Sequence, residues 1–385
     1  MRFVLAAVAL LMSTALAGSA AEPPIDISTI LSLTGQAAFI GSTYAKTLQA
    51  LEATVNKNGG IKGQTIHFAI QDDQSSPQMA VQLANGLLAQ KVTAILGPNL
   101  TATCRAVAPL VNDGPTTYCL SPSVHPPKGS FMFSVGVDTR DQAAVIVRFL
   151  RERGWHDIGM LVTTDASGQD ADAAFAEALK QPENRGMKFV ALEHFNITDP
   201  SVSAQLVKIQ AAQPQVIIAW ATGTPMGTLL RGIQENALAL PILMNNANAL
   251  AVQMKTFASI LPPQLYSYGP AYMLASSNVP RATEPERNYF AGLKNAGIES
   301  DYITGLVWDP AEIVIEALRR VGPNASAAQI RDYILRLRDF RGIAGSFDFT
   351  DGSQRGLGQQ NMMVMRWDAA KASWVAMSKL GGSVR

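Results

Sequence analysis

Residues 95–110 read ILGPNLTATCRAVAPL, and the way this stretch folds decides how the rest of the chain is read. Ile95 and Leu96 end an apolar run of β type, VTAIL at 92–96. Gly97-Pro98 is turn chemistry, and from Thr101 onward the apolar residues fall at helical spacing. Strand, tight turn and helix in that order make one βα unit. In such a unit ligands sit in the loop past the carboxyl end of the strand, because the first helical N–H groups have no intrahelical partner. Thr101 is placed to cap the helix while presenting a hydroxyl, and the amides of Ala102 and Thr103 point at the same spot. That geometry suits a carboxylate.

The same unit recurs on both sides. Strands are predicted at 25–33, 65–71, 92–96, 116–120, 158–163, 188–195, 215–220 and 241–244, with amphipathic helical patterns between them. The first helical pattern runs into Asn58-Gly59-Gly60, a glycine stop. The strands are apolar on both faces, which implies parallel sheets covered by helices on each side. At 385 residues, 48% of them hydrophobic, the chain can build two cores, and its alternating region reads as two similar α/β lobes. After QLYSYGPAYM (264–273) come helical stretches near 287–296, 302–321 and 327–337, then MMVMRWD and SWVAM, which read as a closing antiparallel hairpin.

Composition and motifs exclude several function classes. With 31 basic and 30 acidic side chains, the formal charge of +1 supplies no field for a nucleic-acid backbone or an acidic membrane. The Gly-Pro turn lacks the Gly-Lys-Ser/Thr ending of a phosphate loop, and no Gly-x-Gly-x-x-Gly follows the first strand. There is no Gly-x-Ser-x-Gly, no His-Glu-x-x-His and no metal-spaced Cys/His cluster, so no enzyme, metal or cofactor is expected. His67, His156 and His194 fall in or beside strands and read as structural. His125 differs: it lies in SPSVHPPKG, a strand-end loop stiffened by Pro122, Pro126 and Pro127, so Ser123 and His125 are candidate ligand contacts.

The first residues, MRFVLAAVALLMSTALAGSAAEPP, combine Arg2, an apolar run from Phe3 to Met12 and a small-residue exit. This is the layout of a secretory signal peptide over 1–21, and it implies export to the periplasm with no membrane insertion of the mature chain. In an oxidising compartment Cys104, at a helix start, and Cys119, at the end of the next strand, lie on one sheet edge; a disulfide and two buried thiols are the alternatives.

The stretch from Thr34 to Thr101, with NGGIKG, a strand and Asp72-Asp73, closely resembles the opening of periplasmic leucine/isoleucine/valine-type binding proteins, the solute receptors of branched-chain amino acid ABC transporters. The similarity continues through SPSVHP, the turn at 165–170 and WATGTPMGTLLRG. It implies the type I periplasmic binding fold: two doubly wound parallel-sheet lobes, 25–137 with 270–343 and 138–269 with 344–385. These are joined by three hinge crossings near Val137, Gly269 and Gly342 to Gly345. By this resemblance, Thr101 is the carboxylate-binding hydroxyl and Ser123, Val124 and His125 form the second carboxylate loop. In the other lobe Ser167 stands where the family has a tyrosine, Thr222 is the polar residue of a strand-end turn, and Asn246 stands where an acidic residue pairs the ligand ammonium. Phe39 adds an apolar wall.

An ammonium buried against neutral groups costs several kcal/mol of desolvation. The expected ligand is therefore a small carboxylate, aromatic or hydrophobic, handed to the membrane permease of an ABC importer by a monomeric receptor. The alternatives are an amino-acid receptor of the same type and a ligand-sensing receptor domain.

Overall fold

A computed structural model describes residues 22–274 and 283–385. β1 (Ile25–Leu31), β2 (Ile66–Asp72), β3 (Ala94–Leu96), β4 (Thr116–Cys119) and β5 (Met132–Ser134) form a sheet in the order β2-β1-β3-β4-β5, with every neighbouring pair parallel. β3 and β4 are buried throughout, as a sheet covered on both faces requires. The crossover helices are α1 (Ala38–Lys57), α2 (Pro77–Ala89) and α3 (Thr101–Val107). α1 buries Ile40, Tyr44, Leu48, Leu51 and Val55, a stripe at three- and four-residue intervals. α2 begins where Ser76 accepts the Met79 N–H and Pro77 occupies the first turn. Gly97 has φ 103°, and a Cβ there would stand 2.0 Å from the Ile30 carbonyl, so only glycine lets the loop after β3 cross β1.

The second sheet holds β6 (Asp157–Thr163), β7 (Lys188–Phe195), β8 (Val216–Trp220), β9 (Ile242–Met244) and β10 (Leu265–Gly269), in the order β7-β6-β8-β9-β10. That order repeats the first sheet. Both sheets reverse direction of winding at one point, between β1 and β3 and between β6 and β8, and a crevice for ligands opens outside the carboxyl ends there. Helices α4 (Thr139–Glu152), α5 (Ala166–Leu179), α6 (Ser203–Ala211), α7 (Thr224–Glu235) and α8 (Ala251–Thr256) belong to this half. α9 (Glu284–Asn295), α10 (Tyr302–Val321) and α11 (Ala327–Ile334) return to the five-stranded half, α9 and α10 packing on α1 and α11 on β4. A short hairpin of β11 (Phe340–Arg341) and β12 (Ser346–Phe347) follows. The chain ends in β13 (Met363–Asp368) and β14 (Ser373–Ala376), antiparallel strands added to β10, as the hairpin pattern predicts.

Each of the eight strands read from the sequence is present within two residues of its predicted ends. β5, β10 and the two-residue β11 and β12 are additional, and β5, three residues long, carries too little pattern to show in the sequence. Residues 346–356 lie along it. The Ser134 N–H donates to the Gln354 carbonyl at 2.9 Å, Gln354 Nε2 donates to the Met132 carbonyl at 3.0 Å, and Phe349 meets the Phe133 ring at 5.9 Å between centroids. The third passage between the halves therefore falls between Gly356 and Met363, later than the glycines at 342 and 345 suggest. Those two serve the β11–β12 turn, where the Gly342 N–H donates to the Gly345 carbonyl at 2.9 Å. Cys104 and Cys119 are joined by a disulfide, with Cα atoms 5.9 Å apart. Residues 1–21, read as a signal peptide, lie outside the described residues.

Candidate ligand-binding cleft

The carboxyl edges of the two sheets face each other, and polar contacts cross the seam at several points. The Gln36 carbonyl, in the loop after β1, accepts the Thr224 N–H of α7 at 3.2 Å. The Asp301 carboxylate, which caps α10 by accepting the Thr304 N–H at 2.9 Å, also accepts the Ala251 N–H of α8 at 3.1 Å. One anion thus serves two helix N-termini, one from each half. Lys255 and Glu299 pair beside it at 2.6 Å. At another point on the seam Asp170 of α5 reaches His125 at 2.7 Å and Arg105 at 3.4 Å.

On the five-stranded side Thr101 is buried, but it is the first helical residue and not the cap. Leu100 holds the cap position, and since it has no side-chain acceptor, Thr103 closes the turn: its hydroxyl accepts the Leu100 N–H at 3.3 Å and donates to the Leu100 carbonyl at 3.0 Å. The Thr101 hydroxyl instead pairs with that of Ser121 at 2.9 Å, and Ala102 follows it in the first turn. Ser123 pairs with Thr139 at 3.1 Å, and Val124 is buried with its carbonyl accepting from Arg355. Phe39, 38% exposed, sits in the first turn of α1.

His125 presents neither ring nitrogen freely. Nδ1 lies 2.7 Å from Asp138 Oδ2 and Nε2 lies 2.7 Å from Asp170 Oδ1. The hydrogen bond with Asp138 and then that with Asp170 raise its pKa to about 9, against the opposing effect of burial. For Asp138, burial pushes upward, but His125 and the Arg355 charge outweigh it and bring the carboxyl down to about 2. Arg355, itself buried, lies 3.3 Å from Asp138 and donates to the carbonyls of Val135 at 3.0 Å and Pro122 at 2.7 Å. It ties the 346–356 segment to the His125 loop.

On the other side Ser167 lies in the first turn of α5, accepts the Trp220 Nε1–H at 3.2 Å and stands 3.5 Å from the Thr222 hydroxyl. Asp165 is occupied as the α5 cap, accepting from the Gly168 N–H at 3.0 Å and the Thr163 hydroxyl at 2.7 Å. Asn246, 4% exposed, lies beside the Tyr302 hydroxyl of α10, which is 1% exposed. Burial raises the Tyr302 pKa and the adjacent Asn246 side chain lowers it, yet no well-formed hydrogen bond joins them: Asn246 Nδ2 and Tyr302 Oη are both buried without a partner.

The structure therefore pairs Thr101 with Ser121 and Ser167 with Thr222 within their own halves, and Ser123 with Thr139 of α4 across them. Tyr302, Trp220, Asp138, Asp170, Asp301 and Arg355 were not among the expected site residues. Of these Asp301 and Asp138 left a readable signal as caps ahead of α10 and α4, and Asp170 closes the turn at 165–170. Among the described residues no cluster of His, Cys, Asp and Glu could hold a metal ion, and no helix is long and apolar enough to cross a membrane.

The family model described as periplasmic binding protein matches residues 24–372. A leucine-, isoleucine-, valine-, threonine- and alanine-binding protein of Pseudomonas aeruginosa is 27% identical over 227 residues, 57% of this chain and 60% of that relative, so the match spans less than two thirds of it. A Leu/Ile/Val-binding protein homolog of Brucella melitensis is 20% identical over 92% of this chain and 94% of its own length. Among solved structures, the branched-chain amino acid transporter substrate-binding protein of Streptococcus pneumoniae, in complex with isoleucine, superposes with a TM-score of 0.77 at 19% identity, covering 92% of this chain and 99% of that one. A fatty acid ABC transporter substrate-binding protein of Thermomonospora curvata gives 0.75 at 17%, covering 93% and 92%. With the repeated sheets, the facing carboxyl edges and the match over nearly all the described residues, the chain belongs to the periplasmic binding protein family.

Proposed function

We propose that this protein is a periplasmic solute receptor of an ABC importer that closes over a small α-amino acid with an aliphatic side chain. The observation carrying this reading is the meeting of two sheets of one strand order, carboxyl edge to carboxyl edge, across a buried seam of hydroxyls and amides. Relatives named for leucine, isoleucine, valine, threonine and alanine support the ligand class. Residues 1–21 would direct export and be removed, and the mature receptor would act as a monomer that meets a membrane permease. Its halves would rotate about passages near Val137, near Gly269 and between Gly356 and Met363, gripping the ligand and releasing it unchanged. Thr101, Ala102 and the Ser123–His125 loop would form one wall, and Ser167, Thr222 and Asn246 the other.

One observation favours a second reading, a carboxylate without an amino group. Asn246 is neutral, and the carboxylates of Asp165 and Asp301 are already committed to helix caps and to the Ala251 N–H. A buried ammonium would lack an anion and would lose several kcal/mol of solvation without return.

Titration calorimetry with leucine, valine, alanine and 4-methylpentanoate, which is leucine without its amino group, separates the two. Tight binding of leucine with weak binding of 4-methylpentanoate supports the first reading, and the reverse order replaces it with the second. If none of these ligands binds, both fail.

A further inference from the structure

We propose that Arg355 is a positioning residue for the carboxylate of the ligand: it draws carbonyls of the loop after β4 to its own side and so turns the N–H groups of Ser123 and His125 toward the Thr101 loop. The proposal rests on the receptor reading and deepens it, since an amino acid and a simple acid both bring a carboxylate. Arg355 is buried in the 346–356 segment. It donates to the carbonyl of Pro122 at 2.7 Å, to that of Val124, and past the end of β5 to that of Val135 at 3.0 Å. Arg105 of α3 donates to the carbonyl between them, that of Ser123, at 3.3 Å. Two guanidinium groups thus take the successive carbonyls of Pro122, Ser123 and Val124.

The peptide bonds of this loop are trans, and in a planar trans peptide the N–H points opposite to the carbonyl it follows. With the Pro122 and Val124 carbonyls turned onto Arg355, the Ser123 and His125 N–H groups face away from it. In the sheet order β3-β4-β5 the Arg355 segment lies on the β5 side of the loop and Thr101 on the β3 side, so those donors face the Thr101 loop. The hydroxyls there act with them: the Thr101–Ser121 and Ser123–Thr139 pairs each spend one proton on their own bond and keep one to donate. Charge favours the same ligand group. Arg105, Asp170, His125, Asp138 and Arg355 form a chain of alternating sign, joined at 3.4, 2.7, 2.7 and 3.3 Å. With His125 protonated the chain holds three positive charges against two negative, and the positive charge left over complements an anion at the loop. Arginine suits the place because its rigid fork fixes several donor directions at once, where lysine offers a point charge on a flexible stem.

The test uses the mature protein, Arg355→Met, Arg355→Lys, Arg105→Met and the core variant Leu87→Ala, titrated with leucine, leucinamide, 4-methylpentanoate and 4-methylpentanamide. Each amide keeps the shape of its acid without the negative charge. The native protein is expected to prefer at least one acid over its amide. Arg355→Met should shrink that preference about tenfold or more, the loss of a hydrogen bond to a charged group, and Arg355→Lys, which keeps the charge but not the fork, should fall between. Leu87→Ala opens a cavity in the same half, so it should lower the melting point and leave the preference unchanged. An Arg355→Met protein that weakens acid and amide by the same factor, as a merely loosened fold does, overturns the proposal. Should Arg355→Met fail to fold, Arg355→Lys decides, and a preference equal to the native one overturns it. Should both fail, Arg105→Met decides by the same measure, since Arg105 is 42% exposed and takes the middle carbonyl. Native protein that binds neither acid overturns the receptor reading itself, before any variant is compared.

Discussion

His125 sits between two carboxylates, and that placement sets its charge. Its pKa of about 9 stands above the ordinary 6.5, so its contribution to the folded, closed state is complete below about 6.5 and is lost as the pH rises through 9. Asp138, at about 2 against an ordinary 3.8, contributes above 3.8 and loses its contribution as the pH falls through 2. Between these limits the Asp138–His125–Asp170 bridge is fully formed. A proton NMR titration of the His125 ring should therefore show a midpoint near 9, and Asp170→Asn should move it down toward 6.5. A native midpoint already near 6.5 would mean that the carboxylates do not flank the ring in solution. By the same geometry His125, a candidate ligand contact in the sequence, joins the two halves.

At the scale of elements, α10 shows how one residue can serve two. Asp301 caps its own helix and accepts the Ala251 N–H of α8, and burial, partly offset by those N–H groups, raises its pKa to about 6. Asp301→Ala removes the cap and leaves an N–H of each helix without its partner. The loss of the cap alone is worth roughly 0.5–2 kcal/mol. A lower urea midpoint with an unchanged slope is expected, together with weaker ligand binding, since the Ala251 contact exists only when the halves meet. Equal stability of the variant and the native protein would show that water replaces the carboxylate at no cost. The Cys104–Cys119 disulfide works within one half, holding α3 to the end of β4.

For the whole molecule, closure depends on how near the two sheet edges approach. Gly223 is one tight point: its φ is 80°, and a Cβ there would stand 2.4 Å from the Gln36 carbonyl. A side chain at this position meets backbone, which cannot swing aside, and the conformation itself suits glycine alone. Gly223→Ala is expected to hold the halves apart, reducing affinity more than about tenfold, an effect of roughly 1.4 kcal/mol on the closed state. Small-angle scattering should show that ligand no longer compacts this variant. If the variant compacts as the native protein does, the Gln36–Thr224 contact is not what limits closure.

The order of strands and helices was legible in the sequence because it is written locally. Apolar runs of four to nine residues, the Asn58-Gly59-Gly60 stop and the spacing of Ile40, Tyr44, Leu48 and Leu51 need no partner to be read. The resemblance carried the family as well, since its motifs lie in continuous stretches. β5 was not legible: Met132–Ser134 is a strand only because β4 and the Gln354 segment pair with it. Nor was the third passage, since Gly342 and Gly345 look the same whether they form a hinge or a tight turn. The site residues were legible as residues but not as pairs. Thr101 finds Ser121 within its own half, His125 finds Asp170 across the seam, and Asn246 finds Tyr302 only when the two sheets close edge to edge. Spacing along the chain records how each element turns, whereas partners between elements are chosen by sheet order and by closure, which bring distant residues into reach and leave the nearer ones apart.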